Sequence, residues 1–142
     1  FSKPYEQVVF CGFGEPTERL EELLAVGREL KKRGYVTRIN TNGQANLVHG
    51  RDVTGELAEC IDYANVSLNA ADAESYQKIC RSRFGEKAFA ALLDFAEKCR
   101  DKGIKTNLSI VDCIGEAEVE KCRALAKAHN LPLRVRAYIS DN

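Results

Sequence analysis

Methionine is absent from the 142 residues, even at position 1. The sequence is therefore expected to be a piece of a longer protein, and a motif that belongs upstream would be missing from it. Net charge is also absent, because Lys plus Arg is 21 and Asp plus Glu is 21. That balance argues against a broad basic face gripping nucleic acid, although a local patch can survive it. No long apolar run exists. Val8-Val9-Phe10-Cys11 is far too short to span a bilayer, so no membrane is expected as a partner. No basic start followed by an apolar stretch is visible at the beginning, so no secretory signal is read there. CxxC spacing is missing as well. Cys11, Cys60, Cys80, Cys99, Cys113 and Cys122 are scattered, which disfavours a zinc knuckle or a thioredoxin-like pair.

What is present is ordinary for a globular chain, with 44% hydrophobic and 30% charged residues. A single domain over residues 1–142 is the natural expectation, with no linker or low-complexity stretch. Several cysteines fall on apolar positions of predicted helices, where Cys acts as a small hydrophobe. Free thiols in a reducing, cytoplasmic setting follow from that usage.

Strands and helices alternate along the chain. Strands are predicted at 7–11, 35–40, 64–68, 105–111 and 131–139, each short and rich in β-branched or aromatic residues. Helices are predicted at 17–33, 54–61, 86–102 and 116–128, with a helical turn capped by Asp72 and a loop over 44–51. In the first helix Leu20, Leu23, Leu24, Gly27 and Leu30 share a face. Its acids lead and its bases trail, as the helix dipole favours, with Gly34 placed to end it. Strand centres recur roughly every 27 to 42 residues, the pitch of βαβ units and a parallel sheet. Five such units cannot close an eight-stranded barrel, which needs about 250 residues. An open doubly wound sheet or an incomplete barrel remains.

Ligands of parallel α/β folds bind at the carboxyl ends of the strands. Those ends read Gly12-Phe13-Gly14-Glu15-Pro16-Thr17, Asn40-Thr41-Asn42-Gly43-Gln44, Ser67-Leu68-Asn69-Ala70 and Ser109-Ile110-Val111-Asp112. Small polar residues recur at the tips of otherwise apolar strands. They fit a polar small molecule lying across one rim, or simply the turns that start there. The first tip is a poor phosphate cradle, since it matches neither GxGxxG nor the lysine-containing P-loop. Backbone carbonyls and the Glu15 carboxylate make an acceptor-rich edge, better suited to an ammonium. Strand parity would place Ser67 and Asn69 together on one face, with Val66 and Leu68 packed against helices.

These segments resemble the radical S-adenosylmethionine (radical SAM) superfamily, from its second strand onward. Gly12-Phe13-Gly14-Glu15-Pro16 is similar to the family's GGEP motif, with Phe13 standing where the first Gly usually lies. Arg38-Ile39-Asn40-Thr41-Asn42-Gly43 is similar to its strand ending in TNG. Val66-Ser67-Leu68-Asn69-Ala70 and Asn107-Leu108-Ser109-Ile110-Val111 are similar to the strands that reach the SAM ribose or carboxylate and flank the adenine. A subfamily named for its association with TatD-type nucleases shares the wording FCGFGEPT, INTNGQANLVHGR and SLNAADAESY.

The resemblance implies a partial parallel (β/α) barrel comprising strands two to six of a (β/α)6 barrel. It implies an enzyme that binds S-adenosylmethionine for reductive cleavage at a 4Fe–4S cluster. Cofactor-binding residues would be Gly12, Phe13, Gly14, Glu15, Pro16, Thr41, Asn42, Ser67, Asn69, Ser109 and Arg136. An electron donor such as flavodoxin or ferredoxin, and a functional link to a TatD-type nuclease, would be its partners. The family's CxxxCxxC cluster loop is missing here and is expected, with the first strand, upstream of Phe1. None of the six cysteines is carried over as a metal ligand, no catalytic residue is assigned, and no substrate is named. The alternative, from another class, is a non-redox α/β module that binds a nucleotide or nucleoside.

Outside the motifs, His49 reads as a solvated loop residue or a substrate contact. His129, at a helix end, reads as structural. Arg134 and Arg136 alternate on the last strand. They either line a barrel interior that meets an anion or mark the charged open face of an edge strand.

Overall fold

The computed structural model describes residues 7–11 and 15–137. Five strands form one sheet: β1 (Gln7–Phe10), β2 (Val36–Thr41), β3 (Tyr63–Ser67), β4 (Lys105–Val111) and β5 (Leu133–Arg136). They lie in the order of the sequence, and every neighbouring pair is parallel. This order decides between the two expected architectures. Parallel crossovers are right-handed, so a strand order that never reverses places every helix on the same face. A doubly wound sheet must reverse. The chain is thus an open, partial β/α barrel.

The helices are α1 (Leu20–Lys32), α2 (Ala45–His49), α3 (Thr54–Ala58), α4 (Ala73–Cys80), α5 (Lys87–Asp101) and α6 (Glu116–Ala128). α1 buries Leu20, Leu23, Leu24 and Gly27, the face read from its periodicity. Residues 16–19 do not continue that helix. Pro16–Arg19 winds as a 3₁₀ turn, with Pro16 in its first positions and the Glu15 side chain accepting from the Thr17 amide. α2 falls where a loop was expected. Asn42 Oδ1 accepts the Gln44 amide at 3.0 Å and so launches the chain into the helix. Gly50, at φ 66°, ends it after five residues, too few for a periodic pattern to show. Asp72 caps α4 as predicted, accepting the Ser75 amide at 2.8 Å. α6 coincides with its predicted span.

The core lies between the helices and one face of the sheet. Ile39, Val66, Leu68, Leu108 and Ile110 point into it and meet Leu24, Leu57, Leu92 and Phe95, all essentially buried. Each large apolar side chain removed from water there is worth about 1.5–3 kcal/mol. Residues of opposite parity face away from the helices. Arg38, Asn40, Tyr63, Ser67 and Asn107 are only partly buried, and Lys105 is exposed. No helix of the described residues is long and apolar enough to cross a membrane.

Candidate functional site at the strand tips

The tips of β1 and β2 are joined through one carboxylate. Glu15 Oε2 accepts from Thr17 Oγ1 at 2.7 Å, from the Thr17 amide at 3.2 Å and from Thr41 Oγ1 at 2.6 Å. Glu15 Oε1 accepts the Asn42 amide at 2.8 Å. Oε1 therefore keeps one acceptor position, the one an ammonium could use. The other oxygen is spent on the protein. Glu15 is thus first a clasp that fixes the rim. Any ligand donor would have to use Oε1 rather than Oε2.

The clasp is braced from behind. Thr17 is fully buried, and its carbonyl lies 2.7 Å from His49 Nε2 on α2. His49 is therefore not a solvated loop residue but the last residue of α2, bracing that helix against the 3₁₀ turn. Thr41 Oγ1, besides donating to Glu15, accepts the Gly43 amide at 3.1 Å. Gly43 has φ 77°, and a Cβ there would lie 2.8 Å from both Leu92 Cβ and Val66 Cγ1. Only glycine lets the β2 tip turn so close to α5, which explains the third residue of Thr41-Asn42-Gly43. Gln44 extends the rim toward α4, donating to the buried Tyr76 hydroxyl at 3.0 Å and accepting from Ser82 Oγ at 2.7 Å. Burial pushes the Tyr76 hydroxyl up to about 12, so it stays protonated.

β3 and β4 supply the other half of the rim. Ser67 and Ser109 are register partners, and both hydroxyls face away from the helices. The expected pairing of Ser67 with Asn69 on one strand face does not hold. β3 ends at Ser67 because the Leu68 and Asn69 amides both turn to the Ser109 carbonyl, at 2.8 and 3.5 Å. Asn69 then adopts φ 66°, a left-handed conformation that Asn tolerates, and its amide donates to Cys80 Sγ at 3.3 Å. Val66 and Leu68 do pack against the helices as expected.

Gly12, Phe13 and Gly14 lie outside the described residues. Pro16 sets the 3₁₀ turn and touches the site only through it. Arg136 is exposed on β5, in register with Val111, and is separated from the Glu15 clasp by the width of the sheet. Arg134 and Arg136 are both exposed on β5. They lie at the edge of the described sheet and on the helix-free face.

Below the rim on that face, Asn65 was missed by reading strand tips alone, whereas Asn40 and Asn107 lie in segments already singled out as similar to the TNG strand and the adenine-flanking strand. Asn40, Asn65 and Asn107 form a row across β2, β3 and β4, with Asn107 Nδ2 donating to Asn65 Oδ1 at 2.6 Å. The signal was available: Tyr63-Ala64-Asn65-Val66-Ser67 alternates, whereas a strand buried on both faces reads as continuously apolar.

The cysteines do not fit an iron–sulfur cluster. All six are free. Cys60, Cys99 and Cys122 are buried, and desolvation pushes their thiols up, Cys99 to about 12 and Cys122 to about 11. Cluster ligation needs thiolates. Cys11 and Cys113 are exposed but stand singly. Among the described residues no group of three His, Cys, Asp or Glu side chains could hold a metal.

The rim is suited to a zwitterionic, hydroxyl-rich ligand. It offers an acceptor at Glu15 Oε1 and the hydroxyls of Ser67 and Ser109. The model of the radical SAM superfamily matches residues 1–128. No curated protein matches the chain.

Proposed function

This chain belongs to the radical SAM superfamily, and from that membership we propose that its strand tips bind S-adenosylmethionine as part of a radical SAM enzyme. The observation that carries the reading is the Glu15 clasp. It brings the segments similar to GGEP and TNG into direct contact, through Thr41 Oγ1 at 2.6 Å and the Asn42 amide at 2.8 Å. The ligand's ammonium would meet Glu15 Oε1 and the carbonyls beside it. Its ribose or carboxylate would meet Ser67 and Ser109, and Asn69 would offer its remaining amide oxygen. Gly12, Phe13 and Gly14 would complete the first tip, and Arg136 would reach the carboxylate only if the ligand extends across the sheet.

Held at this rim against a reduced cluster, SAM would supply the enzyme's radical chemistry. The residues of this chain bind, orient and exclude water. The cluster's ligands would come from a CxxxCxxC loop upstream, electrons from a flavodoxin- or ferredoxin-type donor, and the finer placement would be the TatD-associated subfamily in a cytoplasmic setting.

Isothermal titration of SAM into the full-length, reconstituted protein tests the site. Ser67→Ala and Ser109→Ala are each expected to weaken binding several-fold, since a lost hydrogen bond costs about 0.5–1.5 kcal/mol. Unchanged affinity in both would remove the rim as the binding site. Binding of nucleosides with no preference for SAM would favour the non-redox module instead.

A further inference from the structure

Among the described residues, the strands turn cations and no carboxylate to the helix-free face. Arg38, Tyr63 and Lys105 are register partners on β2, β3 and β4, near the end of the sheet opposite the rim. The Arg38 guanidinium carbon lies 4.7 Å from the Tyr63 ring centroid, and Lys105 Nζ lies 5.5 Å from the same centroid. Two cations thus converge on one ring from the strands on either side. Neither forms an ion pair among the described residues, whereas elsewhere cations of this chain pair freely: Lys31 with Asp62, Lys98 with Asp94, Arg28 with Glu59. Strand parity extends the pattern. The residues that β2, β3, β4 and β5 turn to this face include Arg38, Lys105, Arg134 and Arg136, and no Asp or Glu.

Ring stacking rewards each cation modestly, yet it does nothing for their mutual repulsion. An anion within reach of both would. Above this row stands the asparagine row, and above that Ser67 and Ser109. Successive rows are about 6.6 Å apart along the strands, so the cations lie about 13 Å from the serines. That span suits an elongated small molecule with one charged end. The asparagines offer both donors and acceptors along its length. A chain of zero net charge that concentrates unpaired cations on one face is matched to a small anion there rather than to a polyanionic surface.

We propose that the helix-free face of the sheet binds a small anionic molecule, with a phosphate or carboxylate group over the Tyr63 row within reach of Arg38 and Lys105 and a polar body running along Asn40, Asn65 and Asn107 toward the strand tips. The inference rests on the radical SAM reading only in making this molecule the substrate. Its reactive end would then lie at the rim and its charged end at the far row.

Calorimetry on the full-length protein, with saturating SAM, tests it with inorganic pyrophosphate and succinate as probes. One of the two is expected to bind saturably, and which one identifies the anion as phosphate or carboxylate. Lys105→Gln and Arg38→Gln should each weaken that binding at least tenfold, equivalent to about 1.4 kcal/mol, with SAM affinity unchanged. Lys105 is exposed at the start of its strand, so its variant keeps the fold and decides the matter if Arg38→Gln does not. Absence of saturable binding by either probe in the millimolar range, or undiminished binding in the variants, overturns the proposal. Failure of the native protein to bind SAM while it still binds an anion probe would overturn the cofactor reading alone.

Discussion

β3 turns Ala64 and Val66 under the helices and Tyr63, Asn65 and Ser67 away from them, and its neighbours do the same. The two faces of one sheet therefore differ in kind. On the helix side, Ile39, Val66, Leu108 and Ile110 are almost wholly removed from water. On the other, arginine, lysine, tyrosine, asparagine and serine stand in register. Parallel strands covered on both faces are apolar on both. Here stability is drawn from one face, which frees the other for ligand chemistry. The strongest test of that division is Leu108→Ala on the covered face. The cavity left among α5, β3 and β4 should cost about 2–5 kcal/mol, read as a lower denaturation midpoint at unchanged slope. A loss under about 1 kcal/mol would mean the helix layer is not the source of stability.

The rim, where the two faces meet, should respond less strongly. Glu15→Gln replaces an acceptor of four hydrogen bonds by a group with one oxygen. The Thr17 and Thr41 hydroxyls and one amide would compete for it. Stability should fall by about 1–3 kcal/mol, and the 3₁₀ turn after β1 should show the earliest loss of amide protection in hydrogen exchange. Unchanged protection there would mean that Pro16 and the helix contacts hold the tip without the clasp.

The covered face was the more legible of the two. Apolar spacing located α1, α5 and α6 closely, because burying a continuous helical stripe requires that spacing. The strand alternation with helices gave the parallel sheet, but only the pairing order excluded a doubly wound one. α2 was hidden because a five-residue helix has no stripe to display; its start is set by the Asn42 side chain and its end by Gly50. The site was legible as residue types at strand tips. Its geometry was not, because strand parity holds only while the strand continues. Asn69 lies past the point where two amides turn to one carbonyl, so its side chain points to Cys80. The Glu15 clasp depends on contact between segments 26 residues apart, which no local pattern reveals.

Electrostatics within the helix layer give a smaller effect with a defined sign. Hydrogen bonds from Thr54, together with nearby Lys102, hold the Asp52 carboxyl down from its usual 3.8 to about 2, against a smaller opposing contribution from burial. A depressed folded-state value means that the contribution is present above the unfolded value and lost as pH falls through the folded one. Stability of the native chain should therefore drop between about pH 4 and pH 2 more steeply than that of Asp52→Asn. Parallel acid-unfolding curves for the two proteins would show that this carboxylate contributes nothing to the α3 start.

The smallest expected change is the sharpest on the comparison of faces. On the open face Asn107 Nδ2 donates to Asn65 Oδ1 at 2.6 Å and to the Leu108 carbonyl at 3.1 Å. If that pair served the fold, removing it would resemble a core mutation. If it is kept for a ligand, replacing both members by apolar groups of similar shape should be nearly neutral, because no buried donor is left without an acceptor. Asn65→Leu with Asn107→Leu should therefore shift stability by less than about 1 kcal/mol, while Asn107→Leu alone costs more than the pair, since it strands Asn65 Oδ1. A double-mutant cycle in urea measures this directly. The same double variant should lose the binding of whichever anion probe the native protein holds. Loss of stability comparable to Leu108→Ala would instead make the asparagine row structural, and the polarity of this face would then need another cause than a ligand.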